Sequence, residues 1–276
     1  NLAKFFASRN NKTMITVSSL REFKAKQEKI TMLTCYDATF AFLLDHCGVE
    51  ILLVGDSLGM VIQGHTSTLP VQLQDICYHT ACVARATKEA LILADLPFGS
   101  YESNKEQAIA AATQLMKAGA NMVKLEGGSY QADTVAFLYE RGIPTAGHLG
   151  LTPQSFNTLG GYKVQGKTDQ DSERLLQDAK VLDQAGVNLI ILECIPQQLA
   201  AKITQTVSQA ATIGIGAGKY CDGQVLVLHD ILGLQQRNLS FVKNFMQGKT
   251  EIKEAIYAYI KEVKKGIFPD EHHSFS

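Results

Sequence analysis

The sequence has no long apolar run, and this absence bounds the class of protein. No run approaches the roughly 20 residues that a helix needs to cross a bilayer, so no membrane partner is expected. A net charge of -1 gives no reason to expect nucleic acid as a partner. The six cysteines contain no CxxC pair, which argues against a zinc site. Reduced thiols in a cytoplasmic protein are the better interpretation.

Low-complexity linkers and shifts in composition are also lacking. A chain of 276 residues, 46% of them apolar, can build one large core. The opening NLAKFFASRNNKTM is polar and has no continuous apolar segment, so a signal peptide is not expected. We predict that residues 1–15 are an N-terminal extension, native or added, and that residues 16–276 form a single domain.

A repeated alternation of short apolar runs with helical patterns extends along the chain. Most of the apolar runs are continuous, as in strands buried on both faces of a parallel sheet. They cover residues 29–37, 49–57, 90–98, 121–128, 143–150, 188–194, 211–218 and 224–232. Several of the helical stretches between them close on a glycine, as helix ends do: Gly48, Gly119, Gly142 and Gly186.

This order of elements predicts an α/β fold, a (β/α)8 TIM barrel. The gap between the last two runs is short, and a doubly wound open sheet is the alternative. An amphipathic helix near the C-terminus is expected to cover the barrel or a subunit contact. Its apolar face comprises Ile252, Ile256, Tyr259, Ile260 and Val263.

Polar side chains follow nearly every predicted strand. In a barrel the carboxyl ends of the strands converge on one face, and that face holds the active site. The residues concerned are Tyr36, Asp37, Asp56, Ser57, Asp95, Lys124, Glu126, His148, Glu193, His229 and Asp230. Each alone is a weak signal, and their repeated position is the informative observation.

Asp56 and Asp95 end two successive strands. An aspartate there can simply cap the following helix or turn. Alternatively, two carboxylates from neighbouring strands hold a divalent cation. Hard oxygen ligands of this number, with positions left for water and substrate, suit Mg²⁺ better than Zn²⁺.

Lys124 and Glu126 are two residues apart in VKLEGG, so their side chains leave the strand on the same side. If Leu125 packs outward, both charges face the barrel mouth. A structural ion pair is one interpretation. In the other, Glu126 reaches a nearby metal ion directly or through water and Lys124 neutralises an anionic substrate.

Glu193 ends LIILE, an almost wholly apolar strand. Desolvation there favours proton uptake, as a general base near neutral pH requires. A buried glutamate bonded to backbone is the alternative. His148 either donates a hydrogen bond to substrate or satisfies a backbone carbonyl.

Glycine-bearing loops carry weaker signals. In GIGAGK, Gly214, Gly216 and Gly218 allow either close approach of a ligand or tight strand packing. Residues 64–70 and 157–168 have the composition of long loops that can act as lids.

Together, two aspartates for a metal, a lysine for an anion and a glutamate as base suit proton abstraction beside a metal-bound carbonyl. A 2-oxo acid is the natural substrate, because its carbonyl and carboxylate can chelate one cation.

Several longer motifs can be read along the chain: VGDSLGM, QGHTSTLPV, LILADLPF, NMVKLEGG, GHLGLTPQS, LIILECIP and EHHSFS. They resemble the 3-methyl-2-oxobutanoate hydroxymethyltransferase (ketopantoate hydroxymethyltransferase) family, and the resemblance extends from about Thr16 to the C-terminus. It implies a barrel of the phosphoenolpyruvate/pyruvate type, Mg²⁺ as cofactor, and a cytoplasmic homo-oligomer, typically a decamer.

The resemblance also implies a reaction. A one-carbon unit moves from 5,10-methylenetetrahydrofolate to 3-methyl-2-oxobutanoate, giving 2-dehydropantoate and tetrahydrofolate on the route to pantothenate and coenzyme A. By matching motif, the metal ligands are Asp56, Asp95 and Glu126, and the proton acceptor is Glu193. The substrate contacts are Asp56, Ser57, Asp95 and Lys124, with His148 similar to a pocket histidine of the family.

Two departures and two rival functions accompany the resemblance. The first 13 or so residues extend beyond the family's usual start, and residues 233–245 are less family-like.

The enzymatic rival is a carbon–carbon lyase or mutase of the same barrel superfamily, but the KKCGH-type loop of those relatives is missing here. A non-catalytic metabolite-binding or scaffold protein would require loss of the acidic and basic set, and every member is present.

Overall fold

Eight parallel strands form a closed barrel in a computed structural model that describes residues 14–234 and 239–276. Each strand pairs with the next along the chain, and β8 pairs with β1. The strands are β1 (Ile30–Thr34), β2 (Ile51–Val54), β3 (Leu91–Asp95), β4 (Met122–Glu126), β5 (Thr145–Gly150), β6 (Leu189–Glu193), β7 (Ala211–Ile215) and β8 (Gly223–Leu226). The predicted (β/α)8 barrel is confirmed and the open sheet is wrong. Residues 1–13 of the predicted extension lie outside the described residues.

Helices surround the strands. In the described ranges they are α1 (Val17–Ala25), α2 (Ala38–Cys47), α3 (Leu58–Val61), α4 (Leu73–Ala86), α5 (Lys105–Ala118), α6 (Ala132–Glu140), α7 (Phe156–Leu159), α8 (Asp169–Gln184), α9 (Gln197–Thr206), α10 (Leu228–Ile231) and α11 (Ile252–Lys264). Short 3₁₀ turns lie at Ser129–Gln131, Pro153–Ser155 and Glu271–His273. Gly48 and Gly119 end α2 and α5 with φ of 88° and 114°, which glycine adopts without a steric penalty. None of the helices described in these ranges is long and apolar enough to cross a membrane.

The alternation of side chains along the strands sorts the apolar residues into two layers. Leu91 and Leu93 of β3 point into the barrel, whereas Ile92 and Ala94 belong to the layer between strands and helices. Leu20 of α1 packs with the inner layer. The polar strand ends therefore follow strands that are buried on both faces.

The eighth apolar run is less extended than predicted. β8 ends at Leu226, and residues 228–231 form α10. The backbone ladder ends there, and the Leu228 N–H donates at 3.0 Å to the side-chain Oγ1 of Thr34 in the neighbouring strand β1, not to a backbone carbonyl. His229 and Asp230 consequently lie on a short helix, and their predicted position at a strand end is wrong.

The C-terminal helix α11 covers the barrel, which is one of the two positions predicted for it. Ile256, Tyr259, Ile260 and Val263 are buried, but Ile252 is exposed and does not belong to the covered face. The Tyr259 hydroxyl lies 2.9 Å from the Met32 carbonyl and 2.8 Å from the Gln224 carbonyl, and thus links α11 to β1 and β8.

Asp183 near the end of α8 offers a test of fold stability. Its buried carboxylate accepts the backbone N–H groups of Ser208, Gln209 and Ala210 at 2.9, 3.1 and 2.8 Å. Asp183→Asn is expected to lower the free energy of unfolding by about 1–3 kcal/mol, because charge-assisted bonds to buried donors are lost. Urea denaturation measures this, with Glu173→Gln on the exposed face of α8 as the control, expected within about 0.5 kcal/mol of the unmodified protein. Equal unfolding free energies of Asp183→Asn and the unmodified protein would show that these hydrogen bonds do not stabilise the fold.

Candidate active site

A cavity of about 830 Å³ opens at the carboxyl ends of the strands. All seven predicted site residues line it: Asp56, Ser57, Asp95, Lys124, Glu126, His148 and Glu193. Much of the remaining wall is apolar, and a concave apolar site with a few convergent polar groups is typical of small-molecule binding.

Strand parity explains why these residues converge. Strands β3 to β6 begin with apolar residues that point into the barrel, and the next inward positions toward the carboxyl end carry ionisable or imidazole groups. These positions are Asp95, Lys124, Glu126, His148 and Glu193. Parallel pairing then sets Asp95 beside Lys124 and Glu126 beside His148.

Asp95 is the centre of the first group of contacts. Its Oδ2 accepts the backbone N–H of Asp56 at 2.9 Å and lies 3.1 Å from Lys124 Nζ. Its Oδ1 is buried and has no hydrogen-bond partner within the described chain. A buried carboxylate oxygen without a partner is costly, so this atom is positioned to accept a ligand or a cation.

Helix capping does not explain Asp56. Helix α3 begins after Ser57 without a side-chain cap bond, and Asp56 Oδ2 instead accepts the Gln154 side-chain amide at 2.9 Å. Asp37 is the contrasting case, because its carboxylate accepts the Phe40 N–H at 2.9 Å and caps α2. An aspartate between a strand and a helix therefore caps the helix in one case and binds a side chain from another loop in the other.

Burial and proximity perturb the ionisation of this group. Burial, reinforced by the negative charge of Asp95, raises the pKa of Asp56 to about 8. Burial alone would lower the pKa of Lys124, but Asp95, Glu126 and Asp56 outweigh it, so the net shift is upward and the ammonium stays charged. The site thus contains a fixed cation beside two closely spaced carboxyl groups.

Lys124 and Glu126 face the cavity together, as predicted, while Leu125 packs in the outer layer. Their ion pair is secondary, because Lys124 Nζ lies 3.7 Å from Glu126 Oε1 but 3.1 Å from Asp95. The other Glu126 oxygen accepts the Gln154 backbone N–H at 2.9 Å.

His148 lies between two carboxylates. Its Nδ1 is 3.3 Å from Glu126 Oε1 and its Nε2 is 3.2 Å from Glu193 Oε2. These separations are in ion-pair range, although neither has the direction of a well-formed hydrogen bond within the described chain. The prediction that this ring satisfies a backbone carbonyl is wrong. Burial alone lowers the pKa of His148, but Glu126 and Glu193 outweigh it and raise the pKa to about 9.

Glu193 lies at the cavity wall with its side chain 16% exposed. The strand is almost wholly apolar, as predicted, but the carboxyl group faces the His148 ring and not the backbone. A carboxylate that is partly open to the cavity and held by an imidazole can reach a bound substrate.

The three acids predicted as metal ligands do not form one cluster. Within residues 14–234 and 239–276, no group of three or more His, Cys, Asp or Glu side chains converges in a metal-like arrangement. The physical reason is that Glu126 is directed to His148, Lys124 and the Gln154 N–H. Asp56 and Asp95 remain adjacent, and Mg²⁺ sites commonly use only one or two carboxylates, with water and substrate completing the shell.

Three functional candidates were missed at the level of sequence. Gln154 and Tyr101 contact the site acids, and the Tyr36 hydroxyl hydrogen-bonds the Ser57 hydroxyl at 2.8 Å. Tyr36 was noted among the strand ends but received no role. Gln154 comes six residues after His148, and Tyr101 six residues after Asp95, in the loops that follow β5 and β3. The sequence signal for Gln154 and Tyr101 is their position in loops at the carboxyl ends of the strands.

The loops also have defined positions. Gly218 is required for packing, since a Cβ atom there would lie 2.4 Å from Gln197 Cβ. Thr68 and Tyr162, from the two stretches predicted as lids, line the cavity. Phe241 and Phe275 form another part of its wall, with ring centroids 6.2 Å apart. Part of the less family-like stretch, residues 235–238, lies outside the described residues.

The ionisation of His148 and Asp56 predicts a pH dependence of stability in protein kept cation-free by a chelator. Both pKa values are raised, to about 9 and about 8, so the folded state retains protons that the unfolded state releases near pH 6.5 and pH 3.8. Stabilisation by each group is therefore lost as pH rises through its folded-state pKa. We expect the unfolding temperature to fall between about pH 6.5 and 9, by an amount corresponding to roughly 1–3 kcal/mol.

Calorimetry at several pH values checks this expectation. In His148→Gln, the unfolding temperature is expected to change less with pH between about pH 8 and 9. An unmodified protein with constant stability from pH 6.5 to 9 would contradict it.

The fold and the cavity place the molecule among the (β/α)8-barrel enzymes whose chemistry occurs at the carboxyl ends of the strands. The sequence model of the ketopantoate hydroxymethyltransferase family matches residues 14–271. A 3-methyl-2-oxobutanoate hydroxymethyltransferase of Neisseria gonorrhoeae is 57% identical over 264 residues, covering 95% of this chain and 100% of the relative. The chain belongs to the ketopantoate hydroxymethyltransferase family and is a transferase.

Other relatives agree. The protein of the same name from Chromobacterium violaceum is 57% identical over 262 residues, covering 95% of this chain and 99% of the relative. 3-Methyl-2-oxobutanoate hydroxymethyltransferase 1 of Burkholderia ambifaria is 53% identical over 271 residues, covering 98% and 99% respectively. The predicted family is thus confirmed.

Solved structures of similar fold are far more distant in sequence. Phosphonopyruvate hydrolase in complex with oxalate and Mg²⁺ has a TM-score of 0.59 at 11% identity, covering 78% of this chain and 81% of that chain. 2,3-Dimethylmalate lyase, a member of the PEP mutase/isocitrate lyase superfamily, has a TM-score of 0.54 at 12% identity, with the same coverage. These similarities concern the fold alone and agree with the closed barrel. The lyase or mutase function receives no support beyond that shared fold.

Proposed function

We propose that this chain transfers a hydroxymethyl unit from 5,10-methylenetetrahydrofolate to 3-methyl-2-oxobutanoate, giving 2-dehydropantoate and tetrahydrofolate. The observation that carries the proposal is the placement of Glu193 on the same cavity as the Asp95–Lys124 pair. A proton acceptor and an anion-binding group thereby face one bound 2-oxo acid. Relatives at 53–57% identity bear the name of this activity.

The donor set fits a divalent cation, and we propose Mg²⁺. Asp56 and Asp95 supply hard carboxylate oxygens, and the buried Oδ1 of Asp95 has no other partner in the described residues. Glu126 would support such an ion through water, because its own oxygens face Gln154 and His148. When bound, the cation supplies positive charge beside the carbonyl and carboxylate of the substrate and stabilises negative charge that develops there.

The protein's own groups then account for the proton transfer. Lys124 binds the anionic end of the substrate, and the Ser57 hydroxyl, held by Tyr36, donates to a substrate oxygen. Glu193 accepts the hydrogen of C3 as a proton, leaving the electron pair of that bond on the substrate. One water releases the one-carbon unit from the folate: both of its C–N bonds break, the oxygen of the water stays on the carbon, and the two hydrogens go to the two folate nitrogens. The electron pair on C3 then bonds to this carbon, and the resulting alkoxide takes the proton held by Glu193, which regenerates the carboxylate. The His148 Nε2 lies 3.2 Å from Glu193 Oε2, in ion-pair range of the proton acceptor.

NMR in D₂O tests the proposal by following the C3 hydrogen of 3-methyl-2-oxobutanoate. With Mg²⁺ alone, exchange of this hydrogen is expected, and 2-dehydropantoate is expected once methylenetetrahydrofolate is added. Exchange without transfer would keep the proton abstraction but reject the folate as donor. Neither exchange nor transfer in folded, Mg²⁺-supplemented protein would overturn the proposal.

We further propose that the chain acts in the cytoplasm as a homo-oligomer, with a decamer as the specific expectation. No disulfide bond links the cysteines in the described part of the chain, which suits a reducing compartment. Phe42 and Tyr78, on the neighbouring helices α2 and α4, expose most of their aromatic surface, which suits a subunit contact. Sedimentation equilibrium tests the assembly, and a monomer at micromolar concentration would contradict it.

A further inference from the structure

We propose that Gln154, held in turn by Tyr101, is a positioning residue that orients the carboxyl groups of Asp56 and Glu126 for cation and substrate binding. The inference rests on the proposed function, since it concerns the cation assigned to Asp56 and Asp95. It stands on the hydrogen bonds of one buried amide and one buried phenol.

Gln154 uses its side-chain amide and its backbone N–H within the site. Its side-chain NH₂ donates to Asp56 Oδ2 at 2.9 Å and to the Leu96 carbonyl at 3.0 Å, while its backbone N–H donates to Glu126 Oε2 at 2.9 Å. Its Oε1 accepts the Tyr101 hydroxyl at 2.6 Å. The residue is only 6% exposed. One residue therefore holds two acids that come from the ends of different strands.

Tyr101 determines which way the amide of Gln154 faces. Its hydroxyl accepts the Glu126 backbone N–H at 3.1 Å, which leaves the hydroxyl hydrogen to donate to Gln154 Oε1. With the amide oxygen committed to Tyr101, the NH₂ group must face Asp56. Tyr101 is 3% exposed, so water does not compete effectively for these bonds.

The arrangement joins three loops at the mouth of the barrel. Tyr101 follows β3, Gln154 follows β5 in the turn Pro153–Ser155, and Asp56 follows β2. Each of these loops is separate in sequence, so a fixed distance between them requires a direct link. Residues that support metal ligands in this manner typically change metal affinity or activity by about 10- to 100-fold when replaced.

Mn²⁺ binding to the protein without organic substrates tests the inference, by electron paramagnetic resonance or calorimetry. Gln154→Met keeps the side-chain length but removes both the oxygen and the NH₂ of the amide. It is expected to raise the Mn²⁺ Kd by about 10- to 100-fold. Tyr101→Phe is expected to raise it less, by roughly 3- to 10-fold. Because Tyr101 acts through Gln154, the double variant is expected to bind about as weakly as Gln154→Met alone.

Two matched variants control for the loss of a buried hydrogen bond. Gln197→Met removes an amide that donates to Glu271 Oε2 at 3.2 Å away from the cavity. Tyr259→Phe removes a buried hydroxyl that contacts only backbone carbonyls. Both are expected to lose stability in urea denaturation while retaining the unmodified Mn²⁺ Kd.

The outcomes separate the inference from the proposed function. Failure of the unmodified protein to bind Mn²⁺ would overturn the cation of the proposed function, and this inference with it. Unmodified binding with an unchanged Kd in Gln154→Met would overturn the inference alone. If Gln154→Met does not fold, Tyr101→Phe decides: an unchanged Kd, with stability reduced as in Tyr259→Phe, would make the link purely structural and overturn the positioning role.

Discussion

Replacement of Glu193 by glutamine is expected to abolish nearly all turnover while leaving substrate binding intact. Glutamine keeps the shape of the side chain but cannot accept the C3 proton, and loss of a general base typically lowers kcat by about 10²- to 10⁴-fold. The Kd for 3-methyl-2-oxobutanoate, measured by calorimetry with Mg²⁺ present, is expected to change little. Exchange of the C3 hydrogen in D₂O is expected to fall in proportion to kcat.

Glu262→Gln is the matched control for this substitution. Glu262 pairs with Lys243 at 2.7 Å on the outside of the barrel, and the variant is expected to keep native kcat. If Glu193→Gln retained turnover within twofold of the unmodified protein, the assignment of the base would be wrong. Loss of substrate binding together with kcat would instead make Glu193 a binding group.

Asp95→Asn is expected to produce the second large effect, on both cation binding and stability. Asparagine removes the charge that faces Lys124 Nζ at 3.1 Å and one of the two proposed cation ligands. Breaking a buried ion pair by removing one partner costs about 3–5 kcal/mol of unfolding free energy. The Mn²⁺ Kd is expected to rise by more than the roughly 10- to 100-fold typical of residues that only support a ligand.

Asp183→Asn serves as the control, because it also neutralises a buried aspartate with several hydrogen bonds but lies on α8 away from the cavity. It is expected to lose stability and to bind Mn²⁺ normally. Native Mn²⁺ affinity in Asp95→Asn would exclude Asp95 as a ligand, and native stability would show that its pair with Lys124 contributes nothing to folding.

The outer architecture was accessible from sequence because it depends on local pattern. Continuous apolar runs and glycine-terminated helical stretches predicted the barrel, and the parity of β4 predicted that Lys124 and Glu126 share a side. The boundary of β8 was not accessible in this way. Val227 and Leu228 continue the apolar run, but the Leu228 N–H bonds to Thr34 of a strand nearly 200 residues earlier.

The hydrogen-bond and ion-pair partners of the site residues were harder to predict from the sequence. Asp37 and Asp56 both follow a strand and precede a helix, yet the first caps its helix and the second binds Gln154. His148 offered a choice between substrate and backbone, and its ring faces Glu126 and Glu193 at the cavity and no backbone carbonyl within the described residues. Such choices depend on which atoms approach from other loops, and spacing along the chain does not contain that information.

The sequence by itself determined the fold class, the family and the set of chemical groups at the strand ends. Continuous apolar runs in buried strands and a period of 3.6 in helices are local properties, so the chain displays them directly. Only the tertiary structure decided how those groups are paired: Lys124 with Asp95, His148 between two glutamates, and Gln154 across two acids. Hydrogen bonds and ion pairs act over a few ångströms, and in a closed barrel those ångströms separate residues that are distant in sequence.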